Sequence, residues 1–308
     1  MTLFITWIIQ LLFVPALSPL FVGATRKIKA RFQNRRGASV FQPYRDLWKL
    51  LHKEEKISSD ASFVFRYAPF IVFGVTIFLG AIIPLSFIES PLASMGDFLV
   101  VVYLIALGTF FLALAGMDTG GAFGGFGSSR EMFVSSLAEG GLVMSLLVLA
   151  LVSHSTNLSL ISDSMGALSF SNLIPVALAF VGYVIIMLAE TGRFPFDNPA
   201  THLELTMIHE AMLIEYSGKR LALMEWAAAN KYLIFIILGV NLFIPFGMAG
   251  AFRAGFAIGA GFLLAKIILS CFGVALLESS TAKFRLFRLP DLLFTSFIIS
   301  IIAIVLTF

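Results

Sequence analysis

The sequence predicts an all-α, polytopic membrane protein with eight transmembrane helices and long cytoplasmic loops 1 and 5. Three observations carry this. Of 308 residues, 59% are apolar and 13% charged, about half the charged share of an average soluble domain. Eight apolar stretches each reach the roughly 20 residues that a helix needs to cross a bilayer core. The 21 Lys and Arg residues concentrate in alternate loops, as cytoplasmic loops do in membrane proteins. The composition excludes a disordered chain, a nucleic-acid-binding domain and an ordinary soluble enzyme.

Taken in order, the expected spans are 3–25, 65–88, 97–117, 132–153, 172–190, 230–251, 255–278 and 289–308. In the first, the basic residues follow the apolar run and no small-residue cleavage site is present, so a retained helix is expected and not a signal peptide. Composition does not shift along the chain, so residues 1–308 read as one domain without internal repeats. The single cysteine, Cys271, lies in an apolar stretch. It cannot form an internal disulfide, an iron–sulfur site or a structural zinc site alone. Redox centres, if the protein serves them, belong on other chains.

Orientation follows from the basic residues. The first loop holds Arg26, Lys27, Lys29, Arg31, Arg35, Arg36, Arg45, Lys49, Lys53, Lys56 and Arg66; the third holds Arg130; the fifth Arg193, Lys219, Arg220 and Lys231; the seventh Lys283, Arg285 and Arg288. Arg253 and Lys266 are the exceptions. Loops 1, 3, 5 and 7 are therefore expected in the cytoplasm, with both termini periplasmic and the chain in the inner (plasma) membrane. In the first loop Arg35-Arg36-Gly37 signals a turn, and Pro43 to Lys56 has helix character, with Leu47, Leu50 and Leu51 beside Arg45, Lys49 and Lys53. Two readings stand together: a basic amphipathic helix on anionic lipid, and a docking platform for cytoplasmic subunits. The docking candidates are Arg31, Arg35, Arg36, Arg45, Asp46, Lys49 and Arg130.

Charges inside spans are functional candidates because desolvating them is expensive. Glu131 opens the fourth span and Glu139 follows eight residues later, close to one helix face. Glu190 ends the fifth span, Lys266 sits midway in the seventh, and Glu278 ends it. The plainer readings are interfacial snorkelling for Glu190 and Glu278, and a buried Glu139–Lys266 ion pair. The fifth loop then supplies Arg193, Asp197, Glu204, Glu210 and Glu215, with apolar Leu203, Leu205, Met207, Ile208 and Met212 among them. Buried acids raise one another's pKa values and can hold protons near neutrality; a solvated acidic loop is the plainer alternative. His202 and His209 stand seven residues apart, which is no recognised ligand spacing, so relay or packing is expected and no metal. The glycine-rich stretch 116–131 follows no strand. Close backbone packing at the membrane surface fits it better than nucleotide binding.

Three segments carry a family resemblance. The first is Ala30-Arg31, Asn34-Arg35-Arg36-Gly37, Gln42, Tyr44-Arg45-Asp46 and Lys49-Leu50. The second is Gly116 to Thr119-Gly120, Gly127 and Ser129-Arg130-Glu131. The third is Glu190, Gly192, Pro195-Phe196-Asp197 and Glu215-Tyr216-Ser217-Gly218, with Lys266, Glu278, Ala282 and Arg285 also at family positions. Together they resemble the membrane subunit shared by group 4 nickel–iron hydrogenases and respiratory complex I, in particular the formate hydrogenlyase subunit 4 and hydrogenase-4 component C branch, homologous to complex I subunit 1. One departure is the run Asn198-Pro199-Ala200-Thr201-His202-Leu203-Glu204, where the family usually has denser acids.

The resemblance implies a subunit with no cofactor of its own, the nickel–iron centre and iron–sulfur clusters lying on partners. Those partners would be hydrogenase-like large and small subunits, a ferredoxin-like iron–sulfur subunit and antiporter-like membrane subunits. It implies proton-relay or coupling roles for Glu131, Glu139, Glu190, Asp197, Glu204, Glu210 and Glu215, with Lys266 and Glu278 as charges that bias them. The first expectation is thus a non-catalytic membrane subunit of a group 4 nickel–iron hydrogenase complex that couples electron transfer to proton translocation. The second is the quinone-site subunit of a complex I-like NADH or ferredoxin:quinone oxidoreductase, loops 1 and 5 framing the quinone cavity. The third is a free-standing secondary transporter, which usually shows internal symmetry.

Overall fold

The computed structural model describes residues 2–85, 95–166, 172–197, 207–247 and 252–308, and side chains within these except at 2–6 and 252–257. Ten α-helices run in chain order among the described residues: α1 Thr2–Phe32, α2 Gln42–His52, α3 Phe63–Ile82, α4 Phe98–Asp118, α5 Ala122–Ser153, α6 Leu158–Met165, α7 Leu173–Glu190, α8 Gly218–Phe243, α9 Phe252–Ser280 and α10 Leu289–Val305. Eight of them (α1, α3, α4, α5, α7, α8, α9 and α10) are long and apolar enough to cross a membrane. There is no strand among the described residues. The fold is an all-α, eight-span membrane bundle.

Local chemistry sets several helix starts. Ser62 caps α3 by accepting from Val64 N at 3.1 Å. Asp97 caps α4 through Leu99 N at 2.8 Å, and Asn157 caps α6 through Ser159 N at 3.0 Å. Each side-chain oxygen satisfies one orphan N–H of the first turn. Two prolines inside the spans, Pro19 and Pro69, are compensated from α8 and the turn before it. Pro19 has no N–H for the Pro15 carbonyl one turn back. The Trp226 indole N–H donates to that carbonyl at 2.8 Å. Pro69 likewise leaves the Phe65 carbonyl free, and the Tyr216 hydroxyl donates to it at 2.9 Å. Bilayer interiors offer no water to do this.

The most buried helix is α8, whose residues Tyr232 to Leu238 are all buried. It packs on α1, α2, α3, α7 and α9, while α5 packs on α4, α7 and α10. Polar bridges tie α8 to its neighbours: the Ser18 hydroxyl donates to Asn230 Oδ1 at 2.6 Å, and Asn230 Nδ2 donates to Thr76 Oγ1 at 3.0 Å. The helix expected at 43–56 is α2, which buries Leu47 and exposes Trp48.

Four boundaries differ from expectation. The second span ends at Ile82 instead of 88, because Pro84 cannot continue the helix. The fourth span begins at Ala122 instead of 132, so Glu131 lies inside α5 rather than at its start. Much of the glycine-rich stretch is helix, and packing explains it: a Cβ on Gly124 would stand 2.1 Å from the Gly116 carbonyl oxygen. The sixth span is Gly218–Phe243 instead of 230–251, because Lys219, Arg220 and Glu225 dilute the hydropathy of its first turns. Helix α1 continues to Phe32, so Lys27, Lys29 and Arg31 are helical and not loop residues.

Gly124 and Gly125 make an internal control. Gly124→Ala has to push backbone apart and should cost about 1–3 kcal/mol, seen as a lowered unfolding midpoint in detergent. Gly125→Ala meets nothing within 4 Å and should be neutral or raise the midpoint, since alanine is the better helix former.

Candidate functional site: a buried row of paired charges

At one end of the bundle, where α7 and α9 finish and α5 and α8 start, a set of charged side chains is withdrawn from the surface. Glu131 and Glu190 are each 2% exposed and Glu278 5%. An unpaired charge at such a depth is prohibitively costly, and each acid has a base. Glu190, the last residue of α7, meets Lys231 of α8 at 2.7 Å. Lys231 also donates to Thr109 Oγ1 of α4 at 3.3 Å. Glu131 of α5 meets His209 Nδ1 at 3.1 Å. Asp197 meets Lys283 at 2.7 Å. Glu278 of α9 takes Lys29 of α1 at 2.8 Å and Arg193 at 2.9 Å.

The loop between α7 and α8 owes its shape to these contacts. Asp197 Oδ2 accepts from the backbone N–H of Ile208 at 3.1 Å and of His209 at 3.3 Å, which sets His209 over α5. Gly192 has φ +59, and a Cβ there would stand 3.1 Å from His209 Nδ1; only glycine takes that backbone freely and leaves room for the imidazole. The Arg193 guanidinium sits 4.0 Å over the Tyr232 ring, and the Lys29 ammonium 4.3 Å over Phe194. Burial would lower the pKa of Arg193, but Tyr232 and Glu278 outweigh it and hold the pKa above its ordinary value. Arg193 is a permanent cation.

Two junctions in the row are not fixed in this way. The Ser135 hydroxyl lies 3.2 Å from Glu139 Oε1 and 3.3 Å from Glu190 Oε1. It has one proton to donate and two carboxylates to receive it. Glu131 Oε2 and His209 Nδ1 stand 3.1 Å apart without hydrogen-bond geometry, and neither atom has a hydrogen-bond partner among the described residues. Glu131, Ser135 and Glu139 follow at four-residue intervals, one helix face, spanning about 12 Å along α5. The row therefore runs from the loop, through His209 and Glu131, to Ser135, Glu139, Glu190 and Lys231.

The other expected residues lie elsewhere. Glu190 and Glu278 are buried in ion pairs and do not snorkel to an interface. Lys266 does not pair with Glu139, whose partner is Ser135. Glu210 is half-buried in a short 3-10 turn, Glu210–Leu213, and faces Glu225 with Arg26 and Asp46 nearby. Glu215 is exposed, against Gly121 at the start of α5, because the turn before α8 points it outward. Glu204 and His202 lie outside the described residues. Of the docking candidates, Arg31, Arg35, Arg36, Arg45 and Lys49 are exposed. Asp46 is half-buried and accepts from Gln42 Nε2 at 2.8 Å. Arg130 turns inward to the Met207 carbonyl at 3.0 Å, so it holds this chain's own loop.

Sequence reasoning does not single out Lys29, Arg193, Ser135, Lys231 or Lys283. Ser135 has a signal, standing four residues from each of two glutamates. Lys231 reads as a loop residue only because the polar first turns of α8 mask its start.

Eight membrane-length helices enclosing such a row define a polytopic membrane protein that keeps ionisable groups inside its helical bundle. The family described as NADH dehydrogenase matches residues 5–308, and the chain belongs to that family. Formate hydrogenlyase subunit 4 of Escherichia coli (strain K12) is 37% identical over 305 residues, covering 97% of this chain and 96% of the relative. Hydrogenase-4 component C of the same organism is 39% identical over 233 residues, 76% of this chain and 73% of the relative. NADH-quinone oxidoreductase subunit 8 of Rhodothermus marinus is 29% identical over 276 residues, 83% of this chain and 74% of the relative. A solved structure described as the membrane-bound sulfane sulfur reductase, an archaeal respiratory membrane complex, contains a chain of the same fold, with TM-score 0.87 and 20% identity over the whole of both chains.

Glu278→Gln leaves Lys29 and Arg193 without their counter-charge and should cost about 3 kcal/mol, read as a lower unfolding midpoint. Lys29→Met in the same chain should return part of the loss. Additive losses in the double variant would show that the two groups are not coupled.

Proposed function

We propose that this chain is the membrane subunit of a multisubunit oxidoreductase of the group 4 nickel–iron hydrogenase type, anchoring a cytoplasmic redox arm and coupling its electron transfer to proton translocation. The carrying observation is the Ser135 hydroxyl between Glu139 and Glu190, one turn along α5 from Glu131, which faces His209 at 3.1 Å. Similarity to formate hydrogenlyase subunit 4 and hydrogenase-4 component C supports the hydrogenase type.

In this reading the partners are hydrogenase-like large and small subunits, a ferredoxin-like iron–sulfur subunit and antiporter-like membrane subunits. The exposed Arg31, Arg35, Arg36, Arg45 and Lys49 dock the redox arm. The reading places the chain in the inner membrane with both termini periplasmic, which the concentration of basic residues in alternate loops supports. The chain's own residues do not fit a metal cluster, since one buried cysteine cannot replace the several thiolates that a cluster needs. Electron carriers therefore sit on partners, and this chain handles protons.

The geometry suggests how. His209, at the loop, passes a proton to Glu131, which it faces at 3.1 Å. Ser135 relays by switching its donation between Glu139 and Glu190. The Lys231 ammonium holds the other oxygen of Glu190 at 2.7 Å, so a movement of Lys231 repositions the carboxylate that Ser135 faces. A field change from the redox arm reaches this set through Asp197, whose carboxylate positions His209.

The test uses the whole assembly in proteoliposomes. Glu131→Gln, Glu190→Gln and Ser135→Ala should each lower proton uptake per electron at least about tenfold, a barrier increase of about 1.4 kcal/mol. Electron transfer to an artificial acceptor should persist. Normal proton uptake in all three variants would sink the assignment. Turnover that depends on an added quinone would favour the quinone-reductase reading, and transport by the chain alone would favour a transporter.

A further inference from the structure

Lys266 is the charge that the buried row does not use. It is half-buried on α9. Among the described residues it has no ion pair and no hydrogen bond. Helix α9 runs Phe252–Ser280, and Lys266 is its middle residue. A Cα at mid-depth lies about 15 Å from either headgroup layer, more than its four-carbon stem spans. Snorkelling does not rescue it.

The surface around it suits another helix. One side of α9 is packed into the bundle through Leu263, Ile267, Cys271 and Val274. Lys266 is on the flank, in the series Phe262, Lys266, Leu269, Gly273 and Leu276, with alternating spacings of four and three. That is the spacing of a helix–helix seam. Leu269 is 71% exposed, and a Cβ on Gly273 would meet nothing within 4 Å. A small residue on an open seam allows two backbones to approach closely in lipid. A cation at mid-depth in that seam is stable only opposite an anion.

We propose that Lys266 is half of an intersubunit ion pair, and that α9 docks a transmembrane helix of a different chain that carries an Asp or Glu at matching depth. The seam supplies van der Waals packing, and the ion pair fixes register and partner choice, because an apolar helix sliding into the same place would leave Lys266 uncompensated. Such a contact rests on the multisubunit assembly proposed above.

The experiment is cross-linking in the intact assembly. A lipid-soluble carbodiimide activates membrane carboxylates, which an amine in contact converts to an amide. Wild type should give a Lys266 amide to an acid within an apolar, span-length segment of another subunit. Lys266→Met should lose that product. Lys266→Glu, on the flank of α9 beside the packed Leu263, Ile267, Cys271 and Val274, should retain at least tenfold less of that subunit through purification, and changing the partner acid to Lys should restore it. A product only with an acid of this chain or of a second copy, or full retention of every subunit by Lys266→Glu, overturns the ion pair while leaving the multisubunit reading intact. A wild-type preparation that carries no partner chain overturns both.

Discussion

The cost of an unpaired charge in a low-dielectric interior is the constraint on which the rest of this structure depends. Four acids, Glu131, Glu190, Asp197 and Glu278, are buried, and each has a base between 2.7 and 3.1 Å away. The bases come from different parts of the chain: α1 supplies Lys29, α8 supplies Lys231, and the segments flanking α8 and α9 supply His209 and Lys283. No pair can form until its helices are docked in one register. Losing one member of such a pair costs several kcal/mol, so the pairs select that register against neighbouring ones.

Backbone polarity adds a second demand of the same kind. Helices in lipid gain little from hydrophobic contact with each other, and packing and hydrogen bonds hold them together. Trp226 and Tyr216 donate to the carbonyls that Pro19 and Pro69 leave free. Ser18, Asn230 and Thr76 join α1, α8 and α3. The prolines are thus not merely tolerated. Each creates an acceptor that a single donor on or beside α8 fills, and α8 becomes the helix around which α1 and α3 are arranged.

The fold was legible because hydropathy is additive along a span: eight apolar runs gave eight membrane-length helices. Boundaries were less legible where local propensity and packing disagree. Glycine is a poor helix former, yet Gly124 and Gly127 lie in α5 because the close approach of α4 and of the 207–213 segment rewards them. Lys219, Arg220 and Glu225 hid the start of α8 in the same way. For the site, the costly acids Glu131, Glu139, Glu190 and Glu278 could be picked from the sequence, since burial of charge is rare. Their partners could not: Lys29 and Glu278 are 249 residues apart, and nothing local announces a contact between α1 and α9. Glu215 shows the reverse error, an acid in an apolar context that the final turn before α8 leaves outside.

The distribution of fixed and unfixed protons gives the row a direction. Arg193 on Glu278 is a permanent cation, and Asp197 holds two backbone N–H groups besides Lys283. These pairs stand at the loop end and have nothing to exchange without breaking structure. Deeper in, Ser135 has one proton for two carboxylates. A structural ion-pair network would be expected to remove such ambiguity, because half-satisfied buried groups are costly. Here the ambiguity joins Ser135 and Glu139 of α5 to Glu190 of α7, beside the Glu278 and Asp197 pairs, which are satisfied. In the proposed function the fixed pairs keep the loop and helix ends in place, so that a proton passed along Ser135 and its two carboxylates needs only small local rearrangements and no reopening of the bundle.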